Sequence, residues 1–104
     1  MNELNFKKKG GLVPVVVQEM SSGKVLMLGY CNEDSLRMTI KTGNMYFWSR
    51  TKRRLWMKGE SSGNRLKVRE IIADCDNDAL LIKAEVVGER ICHTGSKSCF
   101  FRKL

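Results

Sequence analysis

Only one stretch of this chain carries both the start and the stop signals of a helix, and that restricts the fold more than any other feature. Asn32 offers a side-chain acceptor to the first N–H groups, Glu33 and Asp34 sit where the helix dipole favours negative charge, and Gly43 follows Lys41 where a left-handed stop is needed. Leu36, Ile40 and, less regularly, Met38 supply an inward stripe, so a helix is predicted over about 32–42. The rest reads as short strands. Val13 to Val17 is β-branched apart from Pro14, which predicts a strand starting near a sheet edge. Met20-Ser21-Ser22-Gly23 is a turn, and Lys24 to Tyr30 resumes the apolar pattern, giving a hairpin. Met45 to Ser49, Leu55 to Met57, Leu66 to Ala73 and Ala79 to Val87 are further strands, the last with Leu80, Ile82 and Ala84 on one face. The predicted fold is therefore α+β, mainly β: one compact domain over 1–104 with one principal helix.

A chain of 104 residues builds one modest core and has little room for a deep, closed site. Metal binding or association with a second copy often supplies the missing stability in so small a domain. The longest apolar run, Leu12 to Val17, contains Pro14 and is too short to cross a bilayer. Lys7, Lys8 and Lys9 precede it, but the run leads straight into Gln18 and Glu19, so a signal peptide is not expected and a cytoplasmic location is. Nineteen basic against eleven acidic residues give a net charge of +8. That excess fits a solvated basic surface, an RNA partner, or a small substrate with several phosphates, and charge alone does not separate them. Without an export signal, the four cysteines read as metal ligands or catalytic groups ahead of two disulfides.

Cys75, Cys92 and Cys99 are separated by sixteen and six intervening residues, which is not the paired spacing of common structural zinc sites. Three thiolates and a water would make a catalytic zinc centre with one open position; the competing reading is a set of small buried residues. Around Cys75 runs Asp74-Cys75-Asp76-Asn77-Asp78. In an extended segment the three carboxylates would share one face, with Cys75 on the other. Such a cluster holds a hard cation, magnesium or calcium, or is a solvated acidic turn. His93, the only histidine, follows Cys92 directly and is open to three readings: fourth ligand, proton shuttle or plain loop residue. Phe47 to Asn64 mixes aromatic, cationic and small loop residues, and Arg50, Lys58 and Ser62 are candidates for holding phosphate. Trp48 and Trp56 read as core, and an aromatic-basic surface for single-stranded RNA is the alternative.

Six segments, taken together, resemble one family. They are Gly-Gly-Leu-Val-Pro at 10–14, Val-Leu-Met-Leu-Gly-Tyr at 25–30, Phe-Trp-Ser-Arg at 47–50, Leu-Trp-Met-Lys-Gly-Glu-Ser-Ser-Gly-Asn at 55–64, Asp-Cys-Asp-Asn-Asp-Ala at 74–79 and Cys-His-Thr-Gly-Ser-Lys-Ser-Cys-Phe-Phe at 92–101. In this order they are similar to the phosphoribosyl-AMP cyclohydrolases of histidine biosynthesis. The resemblance implies that Cys75, Cys92 and Cys99 bind zinc and that Asp74, Asp76 and Asp78 bind magnesium. It also implies a homodimer with interface zinc sites that draw cysteines from both chains. Cys31 departs from the family's usual methionine and reads as a small apolar residue. Lys8 and Gly29 also differ from the pattern, in places that bear no expected catalytic role.

The reaction implied is hydrolytic opening of the adenine ring of N1-(5-phosphoribosyl)-AMP between N1 and C6 by zinc-bound water. His93 is the expected proton acceptor, since it is joined to Cys92. The two phosphates of such a substrate suit the basic balance with neither nucleic acid nor membrane as a partner. A structural zinc closed by His93, beside an RNA-binding surface, is the alternative. The aspartate triplet argues against it, because it would repel a nucleic-acid backbone.

Overall fold

The computed structural model describes residues 4–6, 10–88, 92 and 95–104. Among these described residues, six strands and one helix follow each other as β1 (Val13–Glu19), β2 (Val25–Cys31), α1 (Glu33–Thr42), β3 (Tyr46–Ser49), β4 (Arg54–Met57), β5 (Arg65–Ala73) and β6 (Leu80–Val87). The expected mainly-β domain with one principal helix is what the chain forms. No helix among the described residues is long and apolar enough to cross a membrane.

The caps of α1 act as their chemistry predicts. The Asn32 side chain accepts from Ser35 N at 2.8 Å, Ser35 Oγ accepts from Asn32 N at 2.9 Å, and Gly43, at φ 78°, donates its N–H to Thr39 O. The inward stripe is shifted from the expected one. Ser35, Leu36 and Thr39 are buried, whereas Ile40 is 56% exposed. Two polar residues occupy the inner face because both find partners there: Thr39 Oγ1 donates to Ser35 O at 2.8 Å and accepts from Tyr46 N at 3.0 Å. That second bond fastens the helix to the start of β3.

Four strands form one sheet in the order β2-β1-β6-β5, and β3 and β4 pair separately as an antiparallel ribbon. The β1–β2 and β5–β6 pairs are antiparallel, whereas β1 and β6 run parallel from Val15↔Leu80 to Glu19↔Ala84. Strand β1 is thus central, not near an edge. Pro14 is tolerated because the β6 ladder begins one residue later, so its missing N–H costs no bond there. Val13, Val15 and Val17 alternate inward, as do Leu80, Ile82 and Ala84 on the neighbouring strand. They meet Leu26, Leu36, Met45, Phe47 and Leu66 in one core. Phe47 packs against Trp56 with ring centroids 5.3 Å apart, and a Cβ at Gly29 would stand 2.6 Å from the Phe47 ring. The glycine therefore lets β2 lie directly over the aromatic strand.

Candidate active site

The β3–β4 ribbon and the turn after it shape a cavity of about 340 Å³ lined by Ser49, Lys52, Arg54, Trp56, Lys58 and Ser62, among others. Its charges are unequally committed. Arg54 is bound to Glu60 through Oε1 at 2.9 Å and Oε2 at 3.1 Å, while Lys52 and Lys58 have no ion pair among the described residues. Lys58 Nζ lies 5.9 Å from the centre of the Trp56 ring, so the same indole packs on Phe47 and lines the cavity. Of the three residues expected to hold phosphate, Lys58 and Ser62 line this cavity and Arg50 does not. Arg50 lies 3.9 Å above the centre of the Tyr30 ring, a cation–π contact outside the lining. Lys52 and Arg54 complete the cationic wall. The pairing of β3 with β4 brings them to the same cavity as Lys58, which the sequence alone does not show.

Two of the three cysteines come together. Cys92 is buried, Cys99 is exposed, and the Cys99 thiol lies within hydrogen-bonding reach of Cys92. Burial pushes the Cys99 thiol above its ordinary value, the neighbouring Cys92 adds to that, and the Lys58 ammonium opposes it. Lys58 therefore couples the cavity electrostatically to the thiol pair. Two soft sulfur donors brought together fit zinc, which on binding would displace the proton that burial favours on Cys99.

Cys75 is exposed and does not join them: among the described residues, Asp74, Asp76 and Asp78 are the only metal-ligand group of three or more. The carboxylates do converge, with ligand oxygens within 4.8 Å of one another. The cause differs from the expected strand alternation. Residues 74–79 form a turn in which Asn77 takes φ 60°, and Asp74 Oδ1 accepts the N–H groups of Asp78 at 3.0 Å and Ala79 at 3.2 Å. Three carboxylates brought this close offer the hard oxygen donors that magnesium or calcium prefers. All four cysteines are thiols. Cys31 is fully buried, donates to Tyr46 O at 3.3 Å, and has its pKa pushed up to about 11 by burial, so it is packing and not a ligand. His93 and Lys8 lie outside the described residues.

Comparison with known proteins places the chain in a family. The family model described as phosphoribosyl-AMP cyclohydrolase matches residues 27–101. Phosphoribosyl-AMP cyclohydrolase of Solibacter usitatus (strain Ellin6076) is 54% identical over 101 residues, covering 97% of this chain and 80% of the relative. The protein of the same name from Clostridium botulinum (strain 657 / Type Ba4) is 51% identical over 104 residues, covering 100% of this chain and 94% of the relative. That of Geotalea uraniireducens (strain Rf4) is 48% identical over 103 residues, with 99% and 82% covered. A match over most of the chain, running through the ribbon, the aspartate turn and the thiol pair, means that this chain belongs to the phosphoribosyl-AMP cyclohydrolase family.

Proposed function

We propose that this enzyme adds water at C6 of the adenine ring of N1-(5-phosphoribosyl)-AMP and breaks the bond to N1, giving the ring-opened imidazole carboxamide nucleotide of histidine biosynthesis. The observation that carries the reading is the family match over residues 27–101, which takes in the cationic cavity, the aspartate turn and both Cys92 and Cys99. Lys52 and Lys58, with no carboxylate committed to them among the described residues, take the phosphates, and Ser62 adds a hydroxyl. Trp56 presents its ring to the purine from the cavity wall. Zinc at the thiols supplies a Lewis acid that makes water nucleophilic near neutral pH. His93 follows Cys92 in the chain and accepts the proton, a role that rests on that adjacency and on its near-neutral reference pKa. Asp74, Asp76 and Asp78 hold magnesium.

The active form in this reading is a homodimer, with Cys75 of one protomer completing the thiol pair of the other. Two features support it. Cys75 stands apart from Cys92 and Cys99 within one chain, and each half of the ligand set adjoins exposed apolar surface: Ile71 and Ile72 before Cys75, Phe100 and Phe101 after Cys99. The Ile71–Ala73 end of β5 is also the outer edge of the main sheet.

The direct test is ring opening followed by absorbance on metal-stripped protein, with zinc and magnesium restored singly and together. Turnover is expected only with both, and its absence under every condition would sink the reading. On the reconstituted enzyme, Lys58→Met is expected to raise KM about tenfold, reflecting a lost charge-assisted phosphate contact. Arg50→Ala should also act mainly on KM, and by less, since its guanidinium lies on Tyr30. A fall in kcat with KM unchanged would remove phosphate binding from either residue.

A further inference from the structure

Glu19 breaks the pattern of its strand. Positions 13, 15 and 17 of β1 bury valines, and the next inward position holds a carboxylate whose side chain is 9% exposed. Both oxygens are occupied: Ser22 Oγ donates to Oε1 at 2.5 Å, and Lys97 Nζ stands 2.9 Å from Oε2. The serine, the Lys97 ammonium and the nearby Lys24 charge all draw the Glu19 carboxyl below its ordinary pKa, so it is ionised at neutral pH. A bond to Ser22 is enough to close the β1–β2 turn. Lys97 has a different consequence, because it comes from a segment far along the chain that carries Cys99 two residues later.

That segment lies on the outer edge of β2. Ser98 Oγ donates to Val25 O at 2.7 Å, Cys99 N donates to Leu26 O at 2.7 Å, and Phe100 N donates to Ser98 Oγ at 3.0 Å. Cys92 N donates to Ser96 O at 3.0 Å, so the loop closes on itself just before Lys97. The backbone contacts set the distance of the segment from the sheet. The ion pair adds a fixed point along the strand direction, tying position 97 to the end of β1. We infer that Glu19 is a positioning residue for the thiol pair: through Lys97 it holds the 95–99 segment in the register that keeps Cys99 against Cys92, ready for zinc. This rests on the thiols being the zinc site, as proposed above.

The test is zinc affinity, measured on the full-length protein by competition with a chromophoric chelator, together with thermal unfolding of the same samples. Glu19→Gln keeps the shape and the Ser22 contact; Lys97→Met changes a half-exposed side chain with little risk to folding. Each is expected to weaken zinc about tenfold, within the range seen when groups that orient metal ligands are removed. The double variant is expected to cost no more than either single one, because both remove one interaction. A pair that only stabilised the hairpin would lower the Tm and leave zinc affinity unmoved, and that result overturns the inference. Additive losses in the double variant also overturn it. If the wild-type protein takes up zinc and Cys99→Ser binds it equally well, the zinc site itself is misassigned, a failure distinct from the other two.

Discussion

Mixing Cys75→Ser and Cys92→Ser protomers is expected to restore about a quarter of wild-type turnover, although each variant alone stays at background. The expectation follows from where the thiols stand. Cys92 and Cys99 touch, while Cys75 is exposed elsewhere on the same chain. If Cys75 completes the pair of a second protomer, a mixed dimer contains one site with both substitutions and one with neither. Random exchange makes half of the dimers mixed, and each of these has one intact site of two, so about a quarter of the sites are whole. Were all three ligands drawn from one chain, each protomer would damage its own site and no mixture would recover. The measurement is turnover after unfolding and refolding the two variants together, with tandem affinity tags used to isolate the mixed species. Purified mixed dimers should then approach half of wild-type activity. Background activity in that fraction would remove the shared site.

The same thiols show which parts of the site could be read from the chain and which could not. Helix α1 was legible because each cap is local: Asn32 pairs with Ser35 at one end and Gly43 with Thr39 at the other. Its buried face was less so. Nothing in the local pattern favours Thr39 over Ile40 inside, and the choice is made by Tyr46 N, which needs an acceptor that an isoleucine lacks. The strands were legible from β-branched runs, whereas the parallel pairing of β1 with β6 was not. It joins segments more than sixty residues apart, and it is what makes Pro14 part of a central strand.

The chemistry follows the same division. Asp74, Asp76 and Asp78 are close in sequence, so their convergence was foreseeable even though a turn, not a strand, produces it. That Lys52 and Arg54 line the cavity while Arg50 does not is not visible in the sequence, because the lining depends on how β3 and β4 pair. Glu19 carried a visible signal in retrospect: a carboxylate on the inward phase of a valine strand needs a partner. What the sequence could not show is that the partner is Lys97.

The second large effect is expected at Asp76. Three carboxylates with oxygens within 4.8 Å repel one another until a cation sits among them, so the turn should be less stable alone than with magnesium. Asp76→Asn is the informative substitution. Asp74 is unsuitable because its Oδ1 accepts from the Asp78 and Ala79 N–H groups, so replacing it disturbs the turn as well as the charge. Asparagine at 76 keeps the size and removes one of three negative charges. Magnesium at ten times its Kd should contribute about 1.4 kcal/mol to the wild-type fold, a Tm rise of roughly 6–10 °C for a domain of this size. The variant should gain little from the ion, and without magnesium it should be at least as stable as the wild type. Turnover is expected to fall on the order of 100-fold, and because Cys75 stands in the same turn, bound zinc is measured alongside to separate loss of magnesium from a disturbed zinc site. Equal stabilisation of both proteins by magnesium would mean that the ion binds elsewhere. Full activity in Asp76→Asn would make the triplet a solvated acidic turn, leaving the thiol centre alone to account for the hydrolysis.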